Sequence, residues 1–118
     1  MSNKLTKIAN FNIALNPVIG TDFSDFPIFR SKGLLTHLIS RNHYNAAQYI
    51  KDLPAIINQP DYAGYYNGNI ELVKIDKINL YICIKLDKNE NRHYVATMFD
   101  IKKGKLESYI ASGRLKRV

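Results

Sequence analysis

The clearest pattern in the chain is a strict alternation of apolar and other residues over positions 78–86. An apolar side chain on every second residue is typical of a strand with one face in a core. Residues 70–75 and 92–101 follow a weaker form of the same period, and the polar residues 87–91 predict a hairpin loop. With a short final strand over residues 114–118, the chain is predicted to form a sheet of roughly four antiparallel strands.

The region before this sheet has the period of a helix. Apolar residues recur three and four positions apart after Ser31, which predicts a helix that breaks at Asn42. A second helix is predicted over residues 45–53, where Pro54 either kinks it or begins a further turn. A short helical turn is also predicted over residues 105–111.

Helices followed by strands predict an α+β fold with the helices packed on one sheet face. The 118 residues fit one domain. In it, residues 1–30 are predicted to wrap irregularly around the core, residues 31–58 to form helices and residues 69–118 to form the antiparallel sheet. The second sheet face is expected to stay open for a ligand.

Charge indicates what that ligand is. The chain has 17 lysines and arginines against 10 acids, a net charge of +7, which favours nucleic acid over a membrane as the partner. Residues 102–117 hold six of these cations, although a solvated tail remains the alternative. No apolar stretch approaches the roughly 20 residues of a membrane span, and no signal peptide is recognised. A cytoplasmic protein is expected, unless a phage or a secretion apparatus delivers it.

The metal-binding residue types are too few for the usual zinc sites. One cysteine and three histidines do not supply a cysteine-histidine set, and the carboxylates are scattered. A metal-independent reaction without a cofactor is therefore expected. Cys83 lies in the alternating segment and is predicted to be a small buried hydrophobic residue.

Metal-free RNA cleavage needs a base, an acid and cations that stabilise the charged phosphorane. Histidine suits the first two roles because its pKa lies near neutrality. His37 and Arg41 are four residues apart and share a helix face, and His43 follows just beyond the predicted helix end. A packed histidine and a solvated arginine are the alternatives.

Later residues offer phosphate contacts. Thr97 would hold a phosphate oxygen if its hydroxyl faces the open side of the sheet, although threonine is also a good strand former. Ser112 and Arg114 flank Gly113, where turn formation is the competing explanation. His93 is predicted to lie at the surface beside the hairpin loop.

Three tyrosines, Tyr62, Tyr65 and Tyr66, fall in a predicted loop before the sheet. Their rings could stack unpaired bases, or they could be half-buried packing residues. Glu71 and Lys74 are predicted to point outward from the first strand. Either they form a surface pair, or Glu71 is an active-site carboxylate.

Six segments and three single residues, taken in order, resemble those of a known protein family. They are RSKGLL at 30–35, His37, Arg41, His43, QPDYAG at 59–64, IELVK at 70–74, IKLD at 84–87, YVATMFDI at 94–101 and SGRLK at 112–116. From about residue 28 onward the chain resembles phage-type nucleases of the barnase–EndoU–colicin–RelE fold. The resemblance implies metal-independent RNA cleavage, on transfer RNA or messenger RNA, and a cognate inhibitor protein as partner.

The resemblance, together with the aromatic and basic residues above, gives a set of candidate site residues. The candidate catalytic residues are His37, His43 and Thr97, and the candidate RNA contacts are Arg41, Tyr62, Ser112, Arg114 and Lys116. The sequence thus favours a metal-independent endoribonuclease of toxin or mobile-element type. Two alternatives stay open: a non-catalytic RNA- or protein-binding module of the same fold, and a phage structural or accessory protein. The oligomeric state is left open.

Overall fold

The computed structural model describes residues 5–118, which form a mixed α+β fold. The strands are β1 (Leu5–Asn10), β2 (Pro27–Ser31), β3 (Tyr62–Tyr66), β4 (Asn69–Ile75), β5 (Asn79–Asp87), β6 (Arg92–Asp100) and β7 (Lys116–Arg117). The α-helices are α1 (Asn16–Ile19), α2 (Leu34–Ser40), α3 (Tyr44–Ala47), α4 (Leu53–Asn58) and α5 (Lys103–Ala111), and 3-10 turns occur at Ile13–Leu15 and Ile50–Asp52.

The strands form one sheet in the order β1-β2-β6-β5-β4-β3-β7. Every neighbouring pair is antiparallel except β2 and β6, which are parallel. The prediction of roughly four antiparallel strands is therefore wrong in number and in orientation. Residues 5–30 are not an irregular wrap, because β1 and β2 lie within them. Residues 1–4 of that predicted wrap lie outside the described residues.

The predicted tyrosine loop is a strand. β3 and β4 form a hairpin whose two connecting residues, Asn67 and Gly68, have φ angles of 52° and 78°. Positive φ at both central residues is the geometry that matches a two-residue turn to the twist of its strands. Asn67-Gly68 is therefore a hairpin turn, and Tyr62–Tyr66 pairs with both β4 and β7.

The predicted helices are present but shorter than expected. α2 begins at Leu34 because Ser31 ends β2, where it pairs with Leu5. The predicted second helix is divided into α3, a 3-10 turn and α4, and Pro54 lies in the first turn of α4. A proline fits there because its missing N–H would have no partner in the first turn. α5 begins at Lys103, two residues before the predicted helical turn over residues 105–111.

Two separate clusters of buried residues lie on the two faces of the sheet. The larger includes Ile28, Leu38 and Leu53 from the first half of the chain and Ile82 and Met98 from the central strands. The buried members of the smaller cluster are Val73, Tyr81, Cys83, Ile101, Leu106 and Leu115. Because α5 contributes Leu106 to the smaller cluster, helices cover parts of both faces and the prediction of helices on one face only is wrong.

The smaller cluster covers only part of the second face, and the rest of that face remains accessible. None of the helices among residues 5–118 is long and apolar enough to cross a membrane.

Candidate active site

A row of four residues crosses the second sheet face in register. Gly64 pairs with Glu71, Glu71 with Cys83, and Cys83 with Thr97. Residues directly opposite each other on neighbouring strands have side chains on the same face. We call these four residues the central row. Thr97 therefore lies on the second face, as the sequence hypothesis for its hydroxyl required.

The neighbouring row on the same face is Tyr62, Val73, Tyr81 and Phe99, also paired in register. These side chains pack in the smaller cluster, together with residues of α5. Tyr62 is accordingly a half-buried packing residue, and the Arg117 guanidinium carbon lies 5.5 Å from its ring centroid.

Glu71 is the buried charge at the centre of the site. Its side chain is only 2% exposed and it forms a bidentate ion pair with Arg114, through Nε at 2.8 Å and Nη2 at 2.6 Å. The Tyr81 hydroxyl donates a third hydrogen bond to this carboxylate. Burial and the Glu71 carboxylate raise the pKa of Tyr81 well above its usual value, so the tyrosine stays neutral. Glu71 is thus not the outward-pointing residue that the strand pattern predicted.

Arg114 lies between two aromatic rings. Its guanidinium carbon is 3.7 Å from the Tyr66 ring centroid and 3.8 Å from that of Tyr109. The hydrogen bonds to Glu71 raise the pKa of Arg114 further above its already high value. A Cβ at Gly64 would collide with the Arg114 carbonyl oxygen, so the glycine is what lets this segment lie flat against β3.

His43 lies at the opposite edge of the same face. α2 ends in a Schellman motif: Asn42 has a φ of 61°, its N–H bonds to the Ile39 carbonyl, and the His43 N–H bonds to the Leu38 carbonyl at 2.8 Å. This turn directs the His43 ring to within 5.5 Å of the Phe99 ring centroid. The residue is half-buried, so its imidazole is packed and still partly accessible.

His37 lines a groove with a volume of about 650 Å³. β2 pairs with β6 only at His93 and Tyr94, and α2 then contacts β6 beyond the end of β2. His37, on this helix, is half-buried. The helix therefore places an imidazole at the point where the sheet loses a strand.

Charged and polar side chains share this groove with His37. Arg92 and Tyr94 of β6 line it, together with Asp87 and Glu90 from the β5–β6 hairpin. The Arg92 guanidinium carbon lies 5.1 Å from the Phe29 ring centroid, which supports the arginine from one side. The groove therefore contains an imidazole, a guanidinium, a phenol and two carboxylates.

The structure separates several of the predicted site residues. His37 lines the groove, whereas His43 packs against Phe99 and Thr97 lies in the central row, both outside the groove lining. Thr97 and Glu71 are separated by Cys83, two strand spacings or about 10 Å. Arg114 binds Glu71 of β4 and stacks on Tyr66 of β3, so it lies on the other side of Cys83 from Thr97.

Three other predicted contacts have local roles. The Ser112 hydroxyl donates to the Tyr109 carbonyl at 3.1 Å and accepts from the Arg114 N–H at 3.4 Å, at the end of α5. Gly113 has a φ of 81°, so these residues form a turn, which is the competing explanation that the sequence offers for a phosphate contact here. Arg41 is the exposed cap residue of α2, and Lys116 is exposed on β7.

His93 is half-buried. Its ring stacks on Phe26 at a centroid distance of 3.6 Å and contacts Phe23 edge-on at 6.2 Å. Burial lowers its pKa. Cys83 is buried as predicted, at 7% exposure, and burial raises the pKa of its thiol, which disfavours a nucleophilic thiolate.

A family comparison identifies the protein class. Residues 6–108 match the model of the family described as phage-Barnase-EndoU-ColicinE5/D-RelE like nuclease3. The chain belongs to this nuclease family. Comparison with curated proteins and with solved structures found no match.

Membership of this phage-type nuclease family implies a nucleic-acid substrate. The matched residues include β1 and extend into α5, so they contain His37, Arg41, His43, Tyr62 and Thr97. The other predicted contacts, Ser112, Arg114 and Lys116, lie beyond the match.

The sequence reasoning missed two groove residues of this family member, Arg92 and Tyr94. A signal existed, because both follow the hairpin loop on alternate positions of a predicted strand and so share a face. No group of three or more His, Cys, Asp and Glu side chains within residues 5–118 is arranged to hold a metal ion.

Proposed function

We propose that this nuclease is a metal-independent endoribonuclease that uses histidine acid/base catalysis. The observation that carries the proposal is the groove beside β6, where the sheet loses a strand, which His37 lines together with Arg92 and Tyr94. Histidine is suited to the acid and base roles of such a reaction. A guanidinium in the same groove suits the charge that develops on a phosphorane.

The reaction requires two proton transfers. One histidine removes the proton from a ribose 2'-hydroxyl, and the 2'-oxygen attacks the adjacent phosphorus. The bond to the 5'-oxygen breaks, and that oxygen takes a proton from the second histidine. The products are a 2',3'-cyclic phosphate and a free 5'-hydroxyl. We assign the two histidine roles to His37 and His43, because His37 lines the groove beside β6 and His43 packs against Phe99 of the same strand.

Other residues take supporting roles in this proposal. Thr97, in the central row, is suited to orient a phosphate oxygen. Arg41, exposed at the end of α2, and Lys116, exposed on β7, are suited to contact the RNA backbone. Arg92 and Tyr94 are added here because they line the groove with His37.

The test is RNA cleavage by the purified protein in EDTA. The proposal expects cleavage to continue in chelator, with 2',3'-cyclic phosphate ends, and to be lost in His37→Ala and in His43→Ala. Cleavage that stops in EDTA and returns with a divalent ion would contradict the metal-independent mechanism. Cleavage that persists in both histidine variants would contradict their role.

One observation favours a second candidate, a non-catalytic RNA-binding module of the same fold. The Arg114 guanidinium is already paired with Glu71, so its charge is not free to stabilise a phosphorane. A binding module predicts salt-dependent RNA binding without turnover, and the histidine variants would bind as the wild type does.

The proposal extends to the setting in which the nuclease acts. A toxin or mobile-element role in the cytoplasm, with transfer RNA or messenger RNA as substrate and a cognate inhibitor protein as partner, follows from the family resemblance. Induced expression in a bacterial host tests this part. Growth arrest that His37→Ala relieves would support it, whereas equal growth of both strains would count against it.

A further inference from the structure

The ring of Tyr66 has one face covered and one face open. Tyr66 ends β3 on the second sheet face, and the Arg114 guanidinium covers one side of its ring at 3.7 Å. The residue nevertheless remains 44% exposed, which leaves the other side of the ring in solvent. Such a ring is a flat apolar surface that the protein itself does not use for packing.

This ring is also fixed in place before any ligand binds. Arg114 is held by two hydrogen bonds to the buried Glu71, and Tyr66 precedes the tight Asn67-Gly68 turn. A surface side chain that is already ordered loses little conformational entropy on binding. The contacts therefore produce a pre-formed platform instead of a mobile tyrosine.

The chemistry of the platform suits a nucleobase better than a phosphate. The Glu71 carboxylate offsets the Arg114 charge, so an anion gains little there. Bases of any identity stack on aromatic rings, and they do so when they are unpaired and turned out of a helix. A base on Tyr66 would complete a stack that continues through Arg114 to Tyr109.

The platform lies some distance from the histidine groove. β3 and β6 are three strands apart, about 14 Å. Lys85, exposed on β5 and paired with Tyr94, lies on the same face between them. A base on Tyr66 therefore belongs to a nucleotide other than the one attacked at the groove, and Lys85 is suited to the backbone in between.

We infer that Tyr66 binds one unpaired base of the substrate strand, at a nucleotide flanking the cleaved phosphate. The inference rests on the proposed ribonuclease function for the position of the cleaved bond. It requires the substrate to be single-stranded over the segment that crosses from β6 to β3.

The experiment uses short 2'-O-methyl RNA oligonucleotides, which lack the attacking hydroxyl, with 2-aminopurine placed at each position in turn. The fluorescence of this base is quenched when it stacks. Wild type and Tyr66→Phe should quench one position strongly, and Tyr66→Leu should abolish that quenching. The affinity of Tyr66→Leu should fall roughly tenfold, the loss expected for one base–aromatic stack. Blunt duplex RNA should bind all three proteins equally.

Tyr109→Leu is the matched control, because it removes the other half of the Arg114 sandwich and leaves the platform. It should keep the quenching. Equal losses in Tyr66→Leu and Tyr109→Leu, with unfolding curves unchanged, would overturn the inference, as would full quenching in Tyr66→Leu. Tyr66-dependent quenching in a protein that cleaves no RNA would support the platform and remove the nuclease proposal. RNA cleavage without Tyr66-dependent quenching would support the nuclease proposal and overturn the platform.

Discussion

The Arg114 guanidinium donates two hydrogen bonds to the Glu71 carboxylate, and the two residues lie 43 positions apart in the chain. This pair attaches the segment after α5 to β4. α5 packs against one row of the second sheet face, and the pair holds the segment that follows α5 beside it.

Replacing Glu71 with glutamine should lower the free energy of unfolding by about 2–4 kcal/mol, since Arg114 would keep its charge without its partner. Urea denaturation measures this. Lys74→Gln is the control, because Lys74 pairs with Asp61 at 3.6 Å in a more exposed position and should cost about 1 kcal/mol or less. Equal losses in the two variants would show that the buried pair has no special role.

Gly64→Ala should also destabilise the protein, by about 1–3 kcal/mol, because the added Cβ meets the Arg114 carbonyl oxygen. Amide hydrogen exchange should become faster in Leu115, whose N–H bonds to the Tyr109 carbonyl. Gly104→Ala is the control. No atom of the described residues lies within 4 Å of its added Cβ, so the free energy of unfolding should be unchanged or slightly higher. Unaltered exchange at Leu115 in Gly64→Ala would refute the close contact.

His93 should make the protein less stable in mild acid. Burial lowers its pKa in the folded state, whereas the unfolded chain titrates near the ordinary value of about 6.5. As the pH falls below about 6.5 the unfolded state binds the proton first, so the free energy of unfolding decreases toward pH 5. His93→Phe keeps a ring against Phe26 and removes this proton. The variant should gain stability relative to wild type between pH 7 and pH 5, and parallel pH curves would contradict the account.

Arg92 should contribute one cation to RNA binding. Arg92→Gln is expected to weaken binding and to reduce the slope of log affinity against log salt by about 1. Fluorescence anisotropy over a salt series measures the slope. Lys51→Gln is the matched control, since Lys51 borders a different groove, beside α3 and α4. If both variants change the slope equally, RNA binding is not directed to the His37 groove.

The parts of the fold with local signals were predictable. The alternation over residues 78–86 identified β5, and the polar segment after it identified the hairpin. β1 and β2 were missed because their short, weakly patterned sequences become strands only through pairing with each other and with β6. The sequence predicts a loop in place of β3 because Gly64 suggests a turn, whereas the small size of Gly64 allows the close approach of Arg114.

The site was likewise predictable only where its residues have a local signal in the sequence. His37 and His43 were found because they are close in sequence and of the residue type that acid/base chemistry needs. The partner of Arg114 was not predictable, because an ion pair between distant residues depends on strand register that a single sequence does not specify. The sequence allows Glu71 to be either a surface or a site carboxylate, and its 2% exposure distinguishes the two.

The central claim is that His37 takes part in proton transfer in the groove beside β6. The most direct test is the single-turnover rate constant of RNA cleavage, with protein in excess and in EDTA, for wild type, His37→Ala and His93→Phe. The account predicts a loss of 10²- to 10⁴-fold, the usual contribution of one acid/base group, in His37→Ala with RNA affinity unchanged. His93→Phe should cleave at the wild-type rate. A rate within a factor of about three of wild type in His37→Ala, on RNA that still ends in a 2',3'-cyclic phosphate, would contradict it.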